Sequence, residues 1–291
     1  MTSDLRGREL TEQVVRSFAE TPDPRLRQVL ESLARHLHAF VNEVSPTIEE
    51  WEAGIDFLTR TGQTCTDVRQ EFILFSDVLG VSMLVETIND AETPDATDST
   101  VLGPFHMVES PARALGDDVS PQSRGETTVV RGRVVDTTGR PVPGAVIDVW
   151  QANAEGFYDV QQSGVQEVGN GRGLFRADEE GRFWFRTIIP AHYPIPTDGP
   201  VGELLVATRR HPYRPAHIHF IVDAPGYREL TTHIFVAGSE YIDSDAVFAV
   251  KDSLVKSFEP VDSAELAADF GVTAPFRLAG FDIVLHTESE D

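Results

Sequence analysis

The sequence has 291 residues, enough to bury a large core in one domain or two, and its 41% hydrophobic and 24% charged residues are ordinary for a globular protein. Its formal net charge of −23 disfavours binding to nucleic acid or to anionic membrane surfaces. The single cysteine, Cys65, excludes an internal disulfide framework and any metal site built from several cysteines.

The sequence pattern also argues against targeting and membrane segments. The first residues, MTSDLRGREL, contain no apolar signal core. No apolar run approaches the roughly 18 residues that a membrane-spanning helix needs. We therefore expect a cytoplasmic protein that does not insert into membranes.

Residues 8 to 90 are predicted to be helical. Thr47 and Glu50 have the spacing of a capping box that opens one helix, and Gly80 suits the end of another. An earlier helix carries an apolar stripe that is typical of packing on the rest of the protein and equally compatible with a subunit interface. The stripe consists of Leu26, Val29, Leu30, Leu33, Leu37, Phe40, Val41 and Val44.

The sequence pattern changes from helical to strand-like near residue 95. The segment ETPDATDST, residues 92–100, has the composition of a linker. Beyond it, TTVVRGRVVDTTGRPVPGAVIDVWQA predicts two strands in a hairpin-like unit, and GRFWFRTIIP, AHIHFIVDA, LTTHIFVAG and FRLAGFDIVLH predict further strands. Short strands separated by turns favour an antiparallel sandwich. We predict an α+β protein with a helical N-terminal domain over residues 1–95 and an antiparallel β-sandwich over residues 96–291.

The stretch RPAHIHF places two histidines on either side of one isoleucine. Side chains alternate between the faces of a strand, so His217 and His219 project from one face, and Ile218 and Phe220 from the other. A metal ion is the usual reason for setting two imidazoles side by side. The alternative is a polar sheet face that binds no metal, and an isolated His-x-His does not decide between them.

Two tyrosines stand at strand ends in the same part of the chain. Tyr158 lies where a loop begins after VIDVWQA. Tyr193 lies between Pro190, Pro194 and Pro196, which hold it on a stiff, irregular loop. Each tyrosine alone is compatible with a packed aromatic residue whose hydroxyl is hydrogen-bonded. Two phenolates and two imidazoles together would form an oxygen-rich ligand set suited to ferric iron.

Long segments of the chain resemble a known family, the intradiol ring-cleaving dioxygenases. They are VIDVWQANAEGFYDV, GRFWFRTIIPAHYPIPTDGPVGELL and RHPYRPAHIHFIVDAPGYRELTTHIFVAG, together with FSDVLGVSMLVETIN and STVLGPFH. The resemblance therefore spans most of the chain. Within the family, the details TTHIF, YPIPTDGPVG and YIDSDAVFAVKDSL are most similar to hydroxyquinol 1,2-dioxygenases.

The resemblance implies a mononuclear site with one Fe(III) per chain. Its ligands would be Tyr158, Tyr193, His217 and His219. It also implies that Tyr193 leaves the metal when substrate arrives and takes part in catalysis, and that Arg214 stabilises developing charge. Arg214 adjoins both histidine ligands in sequence, which favours this role over a surface ion pair. Family members are typically homodimers joined through their helical domains, sometimes with a bound phospholipid, and we expect the same here.

The resemblance further implies a pocket for a small aromatic diol. Leu74 and Val247 are equally compatible with ordinary core, whereas Asp77 needs a polar partner because it is a carboxylate on an apolar helix face. His106 stands where the family often has an aromatic residue, a departure that bears on substrate preference. The expected pocket walls are Leu74, Asp77, Val101, Leu102, Gly103, Pro104, Phe105, Ile195, Pro196 and Val247.

The expected activity is the intradiol cleavage of hydroxyquinol (benzene-1,2,4-triol) by O2, a step of aromatic compound catabolism. The product would be 3-hydroxy-cis,cis-muconate, the enol form of maleylacetate. Catechol and chlorocatechol are the alternative substrates. An alternative from another class is a non-catalytic β-sandwich binding module, which would need neither the two loop tyrosines nor the histidine pair.

Overall fold

The computed structural model describes residues 2–66, 69–91, 93, 95–106 and 109–288. The chain divides into two compact units, one up to Arg60 and one from Thr61 onward. The predicted linker lies partly outside the described residues, and its described portion, residues 93 and 95–100, contains no helix or strand. Among the described helices, none combines the length and the apolar character that crossing a bilayer requires.

Helices occupy the N-terminal part of the chain, as the apolar periodicity predicts. They are α1 (Thr2–Ser17), α2 (Pro24–Val44), α3 (Ile48–Thr64), α4 (Glu71–Val78) and α5 (Val81–Asp90). The Asp23 carboxylate caps α2 by accepting hydrogen bonds from the N–H groups of Arg25 and Leu26. The predicted capping box is confirmed at α3, where Thr47 and Glu50 exchange hydrogen bonds of 2.8 and 3.2 Å between side chain and backbone.

The second unit carries the strands. In chain order they are β1 (Thr127–Asp136), β2 (Val146–Gln151), β3 (Arg172–Arg176), β4 (Arg182–Ile188), β5 (Tyr193–Pro194), β6 (Tyr213–Arg214), β7 (His217–Asp223), β8 (Leu230–Val236), β9 (Val255–Lys256), β10 (Glu259–Val261), β11 (Phe276–Gly280) and β12 (Ile283–Leu285). Two short helices, α6 (Pro200–Ala207) and α7 (Ala264–Asp269), interrupt the series.

The strands form two sheets and a small ribbon. One sheet has the order β10-β11-β1-β12, with β4 also paired to β1. The other has the order β3-β2-β7-β8-β9, and β5 pairs with β6 alone. Most pairs are antiparallel, but β1 runs parallel to β11 and β12, and β8 runs parallel to β9. The long connections between these partners supply the crossover that parallel pairing requires.

The two sheets share one apolar core. Phe185 on β4 lies 5.3 Å from Phe175 on β3 and 6.3 Å from Phe220 on β7, measured between ring centroids. Phe183 on β4 also lies 6.3 Å from Phe220. Because these rings come from both sheets, the strand region is a sandwich rather than a single layer. The predicted combination of a helical N-terminal region with a β-sandwich is confirmed.

The predicted hairpin-like unit is wrong. Strand β1 pairs with β4, β11 and β12 in one sheet, whereas β2 pairs with β3 and β7 in the other. After the turn that follows β1, only an isolated bridge between Val135 and Pro141 forms. Pro141 and Pro143 have no N–H to donate to a continuing ladder, so the chain passes on to the second sheet.

Candidate active site

Strand β7 positions the histidine pair as predicted. Ile218 and Phe220 point into the sandwich core, while His217 and His219 lie buried on the opposite face. The two Nε2 atoms are 3.1 Å apart. Nδ1 of His217 is 2.7 Å from the carbonyl of Pro215, to which it donates, so the lone pair of the neutral ring is on Nε2.

The two predicted tyrosines bring their hydroxyl groups to these nitrogens. The Tyr158 hydroxyl lies 2.9 Å from Nε2 of His219, and the Tyr193 hydroxyl lies 3.5 Å from Nε2 of His217. The two phenol rings meet edge to face with centroids 5.1 Å apart, and both are buried. The four side chains that the family resemblance singled out therefore converge in space.

The two loops that carry the tyrosines approach each other closely. Tyr158 directly precedes a short 3-10 helix, Asp159–Gln161. Nearby, Gly156 has a φ of +82°, and a Cβ there would lie 2.6 Å from the carbonyl oxygen of His192. A residue with a side chain at position 156 would therefore push the loop of Tyr158 away from the loop of Tyr193.

Arg214 lies against one half of the donor set. The β5–β6 ribbon places it directly opposite Tyr193. Its Nη1 is 3.4 Å from the Tyr193 hydroxyl and 3.3 Å from Nε2 of His217. Its Nε and Nη2 donate to the Asp245 carboxylate at 3.2 and 3.4 Å. Burial acts to lower the pKa of Arg214, but Asp245 and Tyr193 outweigh it and raise that pKa above its ordinary value.

Burial governs the protonation of the remaining donors. It holds the pKa values of His217 and His219 well below the ordinary value of histidine, and the positive charge of Arg214 acts in the same direction. Both imidazoles are therefore neutral near pH 7. Burial also raises the pKa of the Tyr158 phenol well above its ordinary value, with a further contribution from Tyr193. A cation among these groups would reverse that shift and favour the phenolate.

The donor set fits a metal ion. The Nε2 atoms of His217 and His219 lie 3.1 Å apart and converge with the two phenol oxygens, so all four donor atoms can be directed to one cation. The two phenol oxygens add hard donors, and no thiolate lies among the four residues. A metal ion bound here would have Tyr158, Tyr193, His217 and His219 as its protein ligands.

A third histidine, His233, completes the cluster and was not predicted from the sequence. Antiparallel pairing of β7 and β8 sets His233 directly opposite His219, with ring centroids 4.1 Å apart. One ring nitrogen from each of His217, His219 and His233 lies within 4.8 Å of the others. The segment TTHIF carries the only sequence signal, because the register between two strands cannot be read from either strand alone.

A second buried ion pair supports the loop of Tyr158. Nη2 of Arg172 lies 2.7 Å from Oδ1 of Asp159 and donates to the carbonyl of Phe105 at 2.8 Å. Phe105 in turn stacks on Tyr158 with centroids 4.6 Å apart. Sequence reasoning predicted Phe105 as a pocket residue but missed Arg172 and Asp159.

His106, which departs from the family pattern, contacts the donor set only through Trp150. Its Nε2 lies 2.9 Å from Oδ2 of Asp148 on β2. Its ring packs on Trp150 with centroids 4.5 Å apart, and Trp150 stacks on His219 at the same distance. His106 therefore contacts the indole that supports a predicted ligand.

The structure brings several predicted pocket residues to the donor set or to the adjoining core. A Cβ on Gly103 would lie 3.2 Å from Cε1 of His219, so this segment passes close to the ligand face. Leu102 is 43% exposed, and Pro104 and Pro196 are half-buried. The pocket residues that lie in the main apolar core are Leu74, Val101, Ile195 and Val247.

Asp77 on α4 is the one charged residue of the predicted pocket. Its side chain is buried, and its Oδ1 has no hydrogen-bond partner among the residues that the structure describes. Burial raises the pKa of Asp77 and Asp245 adds to this, whereas Ser82 and Arg214 oppose it. An unpaired buried oxygen costs free energy, and none of the described residues supplies a partner for this atom.

Comparison with known proteins gives the same assignment as the motifs. The family model described as "Catechol dioxygenase N terminus" matches residues 23–97, and the model described as "Dioxygenase" matches residues 105–287. Hydroxyquinol 1,2-dioxygenase of Rhizobium sp. (strain MTP-10005) is 53% identical over 260 residues, covering 89% of this chain and 88% of that protein. The 6-chlorohydroxyquinol 1,2-dioxygenase of Cupriavidus pinatubonensis is 55% identical over 246 residues, covering 84% and 89%.

A solved structure agrees with these relatives. That of hydroxyquinol 1,2-dioxygenase from Pseudomonas putida DLL-E4 matches with a TM-score of 0.90 and 48% identity, and covers 98% of this chain and 100% of its own. Relatives at this level of identity and coverage exclude the alternative of a non-catalytic binding module. The chain belongs to the intradiol ring-cleaving dioxygenases, and the protein is an enzyme of that family.

Proposed function

We propose that the protein is a mononuclear Fe(III) enzyme that cleaves hydroxyquinol with O2 to 3-hydroxy-cis,cis-muconate. The observation that carries this proposal is the convergence of Tyr158, Tyr193, His217 and His219. Two phenolates and two imidazoles suit ferric iron, which when bound supplies a Lewis acid and a template for the diol. Both atoms of O2 enter the product, so the reaction needs no external reductant.

We assign different roles to the two tyrosines because the structure holds them differently. The Tyr158 hydroxyl is 2.9 Å from its histidine, and its ring is stacked on Phe105. The Tyr193 hydroxyl is 3.5 Å from its histidine and lies beside Arg214. Tyr158 is therefore the permanent ligand in our proposal. Tyr193 moves aside for the diol, and its phenolate oxygen takes up a proton from a diol hydroxyl.

Arg214 supplies the fixed positive charge of the proposed site. Its guanidinium is oriented by two hydrogen bonds to Asp245, both partners are buried, and it stays protonated. A cation fixed next to Tyr193 and His217 stabilises negative charge that develops on the diol, without reorganisation of solvent. Asp245 acts through Arg214 and is a positioning residue.

The first test of this proposal is metal content. Purified protein should carry about one iron ion per chain, because the four donors form a single mononuclear set. Phenolate bound to Fe(III) should give a visible absorption band that shifts when hydroxyquinol is added without O2. Elemental analysis and a visible spectrum measure both quantities. Stoichiometric zinc without iron in an active preparation would contradict the proposal.

Asp77 supports hydroxyquinol rather than catechol as the preferred substrate. The third ring hydroxyl of hydroxyquinol can donate a hydrogen bond to the unpaired Oδ1 of Asp77, and catechol has no such group. A hydrogen bond to a charged group contributes roughly 1.5–3 kcal/mol. The relatives named above carry hydroxyquinol or its chlorinated form in their names, in agreement with this preference.

We expect kcat/KM for hydroxyquinol to exceed kcat/KM for catechol by roughly one to two powers of ten. Asp77→Ala should lower this hydroxyquinol-to-catechol ratio and leave the iron content unchanged. Steady-state kinetics on both diols measure the ratio. Equal or better turnover of catechol by the wild type would place the enzyme with the catechol 1,2-dioxygenases instead. An unchanged ratio in Asp77→Ala would show that Asp77 has only a local structural role.

The control for this variant is Asp77→Asn, which keeps the shape of the side chain. Burial raises the pKa of Asp77 above 3.8, so the folded state binds its proton more tightly than the unfolded chain. The resulting penalty on stability grows as the pH rises from 3.8, and it is complete only above the folded-state pKa. At a pH above the folded-state pKa of Asp77, Asp77→Asn should therefore unfold at a temperature no lower than the wild type. Its neutral Oδ1 can still accept a hydrogen bond, so its hydroxyquinol-to-catechol ratio should fall less than that of Asp77→Ala.

We also propose a homodimer formed through the helical part, residues 1–95. Residues 96–291 would carry catalysis, and α4 would contribute Leu74 and Asp77 to the substrate pocket. Leu33, Leu37 and Phe40 of the predicted stripe on α2 are 52%, 53% and 58% exposed. An apolar stripe this exposed is typical of an interface, and a bound phospholipid could fill part of it. A chain with one cysteine suits the reducing cytoplasm, which is the compartment we propose.

Analytical ultracentrifugation tests this interface. Wild-type protein should sediment as a dimer, and Leu33→Glu/Leu37→Glu should shift it towards monomer because two charges would be buried at the contact. Ser32→Glu is the matched control, since it adds charge to an exposed polar position of the same helix. A monomeric wild type would contradict the proposed dimer.

A further inference from the structure

Arg210 joins the C-terminal end of α4, where Asp77 lies, to a loop near the donor set. Nη1 of Arg210 donates to the carbonyl of Val78, the last residue of α4, at 2.6 Å. Nη2 donates to the carbonyl of Ala246 at 3.0 Å. The last carbonyls of a helix have no partner within the helix, so an arginine at this position supplies a hydrogen bond and complements the negative end of the helix dipole.

The backbone after α6 holds Arg210 in place for these contacts. The N–H of Arg210 donates to the carbonyl of Leu205 at 2.9 Å. The N–H of Arg209 donates to the carbonyl of Val206 at 3.1 Å, which completes the hydrogen-bond pattern of a Schellman motif. Arg209 has a φ of +56°, a left-handed conformation that residues other than glycine rarely adopt. The chain thus tolerates a strained residue where it turns back, and the residue that follows the turn reaches α4.

The loop that supplies the Ala246 carbonyl is fixed by contacts of its own. Its Asp245 carboxylate accepts hydrogen bonds from Arg214 and from two backbone N–H groups of the same loop. The N–H of Ala246 donates to the carbonyl of Tyr213 at 3.1 Å. Arg210 therefore links the end of α4 to a loop that would keep its position without Arg210.

The opposite end of α4 is held independently of Arg210. Glu71, the first residue of α4, is fully buried, and its Oε1 accepts a hydrogen bond from the N–H of Val201 in the first turn of α6 at 3.1 Å. Its Oε2 accepts from Nε and Nη2 of Arg69 at 3.0 and 2.9 Å. Loss of the Arg210 side chain would therefore release the Asp77 end of α4 while Glu71 keeps the other end in place.

We propose that Arg210 is a positioning residue for substrate selection, which sets the place of Asp77 in the pocket through the carbonyl of the adjacent Val78. This proposal rests on the proposed function, in which Asp77 accepts a hydrogen bond from the third hydroxyl of hydroxyquinol. Arg210 donates to main-chain carbonyls on both sides, so it acts on the diol through Asp77. Catechol lacks the third hydroxyl, and its turnover should be insensitive to the place of Asp77.

The test is a double-mutant cycle of Arg210→Met and Asp77→Ala, with the hydroxyquinol-to-catechol ratio of kcat/KM as the readout. Methionine removes the guanidinium donors and keeps an unbranched stem beside Phe248, whose ring centroid lies 5.1 Å from the guanidinium. We expect Arg210→Met to lower the ratio by about threefold to tenfold, through a higher KM for hydroxyquinol. In the Asp77→Ala background the same change should alter the ratio by less than about twofold, because the group that Arg210 positions is already absent.

Further readouts separate positioning from a general loss of structure. The iron content and visible band of Arg210→Met should equal those of the wild type, because the four metal donors are untouched. Its unfolding temperature should fall, since two carbonyls lose a partner, while kcat for catechol stays within about twofold of the wild type.

Two variants complete the design. Arg210→Lys keeps the charge and can reach one carbonyl at a time, so it should fold and show a smaller fall of the ratio in the same cycle. Arg209→Gln is the matched control, because it removes an exposed guanidinium from the neighbouring position. It should keep the wild-type ratio.

Several results would overturn the proposal. An unchanged ratio in Arg210→Met beside a lowered ratio in Asp77→Ala would make Arg210 a structural residue only and would leave the proposed function standing. A further fall of the ratio in the double variant would show that Arg210 acts by a route other than Asp77, and the same fall in Arg209→Gln would assign the effect to loss of charge. An unchanged ratio in Asp77→Ala alone would overturn the roles of both residues, whereas a wild type without iron would contradict the proposed function itself.

Discussion

Tyr158→Phe is expected to lose most of the bound iron and most of the visible absorption. The Tyr158 hydroxyl lies 2.9 Å from Nε2 of His219, and phenylalanine removes the only donor atom that this side chain offers. The stacking on Phe105 and the edge contact with Tyr193 need only the ring, so the variant should fold normally. The loss should therefore appear in metal stoichiometry and not in the unfolding temperature of the iron-free protein.

Tyr193→Phe is expected to keep more iron than Tyr158→Phe while kcat falls by about 10²–10⁴, the range associated with removal of a general acid–base group. Its hydroxyl lies farther from its histidine, 3.5 Å from Nε2 of His217, than the Tyr158 hydroxyl does from Nε2 of His219, so its removal should disturb the remaining three donors less. Iron content, visible spectrum and kcat of both variants, measured side by side, decide the assignment. Wild-type rates in either variant would show that the assigned role is wrong.

Arg214→Leu is expected to lower kcat by about 10²–10³, because it removes the fixed positive charge beside the diol. The same change leaves the buried carboxylate of Asp245 without its charged partner, and breaking a buried ion pair in this way costs about 3–5 kcal/mol of folding stability. Activity measurements alone would therefore mix a catalytic loss with a structural one.

The double variant Arg214→Leu/Asp245→Asn separates the two losses. Asparagine carries no charge and can still accept one of the hydrogen bonds that Val247 and Ala249 donate to Asp245. The double variant should regain most of the lost stability in chemical denaturation and none of the lost kcat. Recovery of activity together with stability would show that Arg214 acts only through packing and charge balance.

The histidine pair shows how far local sequence rules reach. Alternation along one strand places His217 and His219 on a common face, and the structure agrees because that rule depends only on backbone geometry. The same alternation predicts a strand for LTTHIFVAG but not which residue lies opposite His219. That choice depends on the register between β7 and β8, and so His233 escaped prediction.

Residues whose role depends on tertiary contacts were not predicted, for a related reason. Asp245 reaches Arg214 from a loop, and no spacing rule connects the two positions. The hairpin-like unit failed similarly, because alternation identified β1 and β2 as strands but contains no information about which sheet each one joins. Tyr158 and Tyr193 could be singled out as ligands only through the long family motifs, since composition and position left a packed aromatic residue equally open.

The β5–β6 ribbon determines what kind of motion Tyr193 can make. On one side of Tyr193, the N–H of Ala191 donates to the carbonyl of Asn153, and on the other, the N–H of Ile195 donates to the carbonyl of Pro212. The main chain is thus fixed at both flanks, and displacement of the phenol is confined to its own χ1 and χ2 torsions. The exchange of Tyr193 for a diol that we propose would then require no opening of a loop, and the guanidinium of Arg214 would keep its place while the ring rotates.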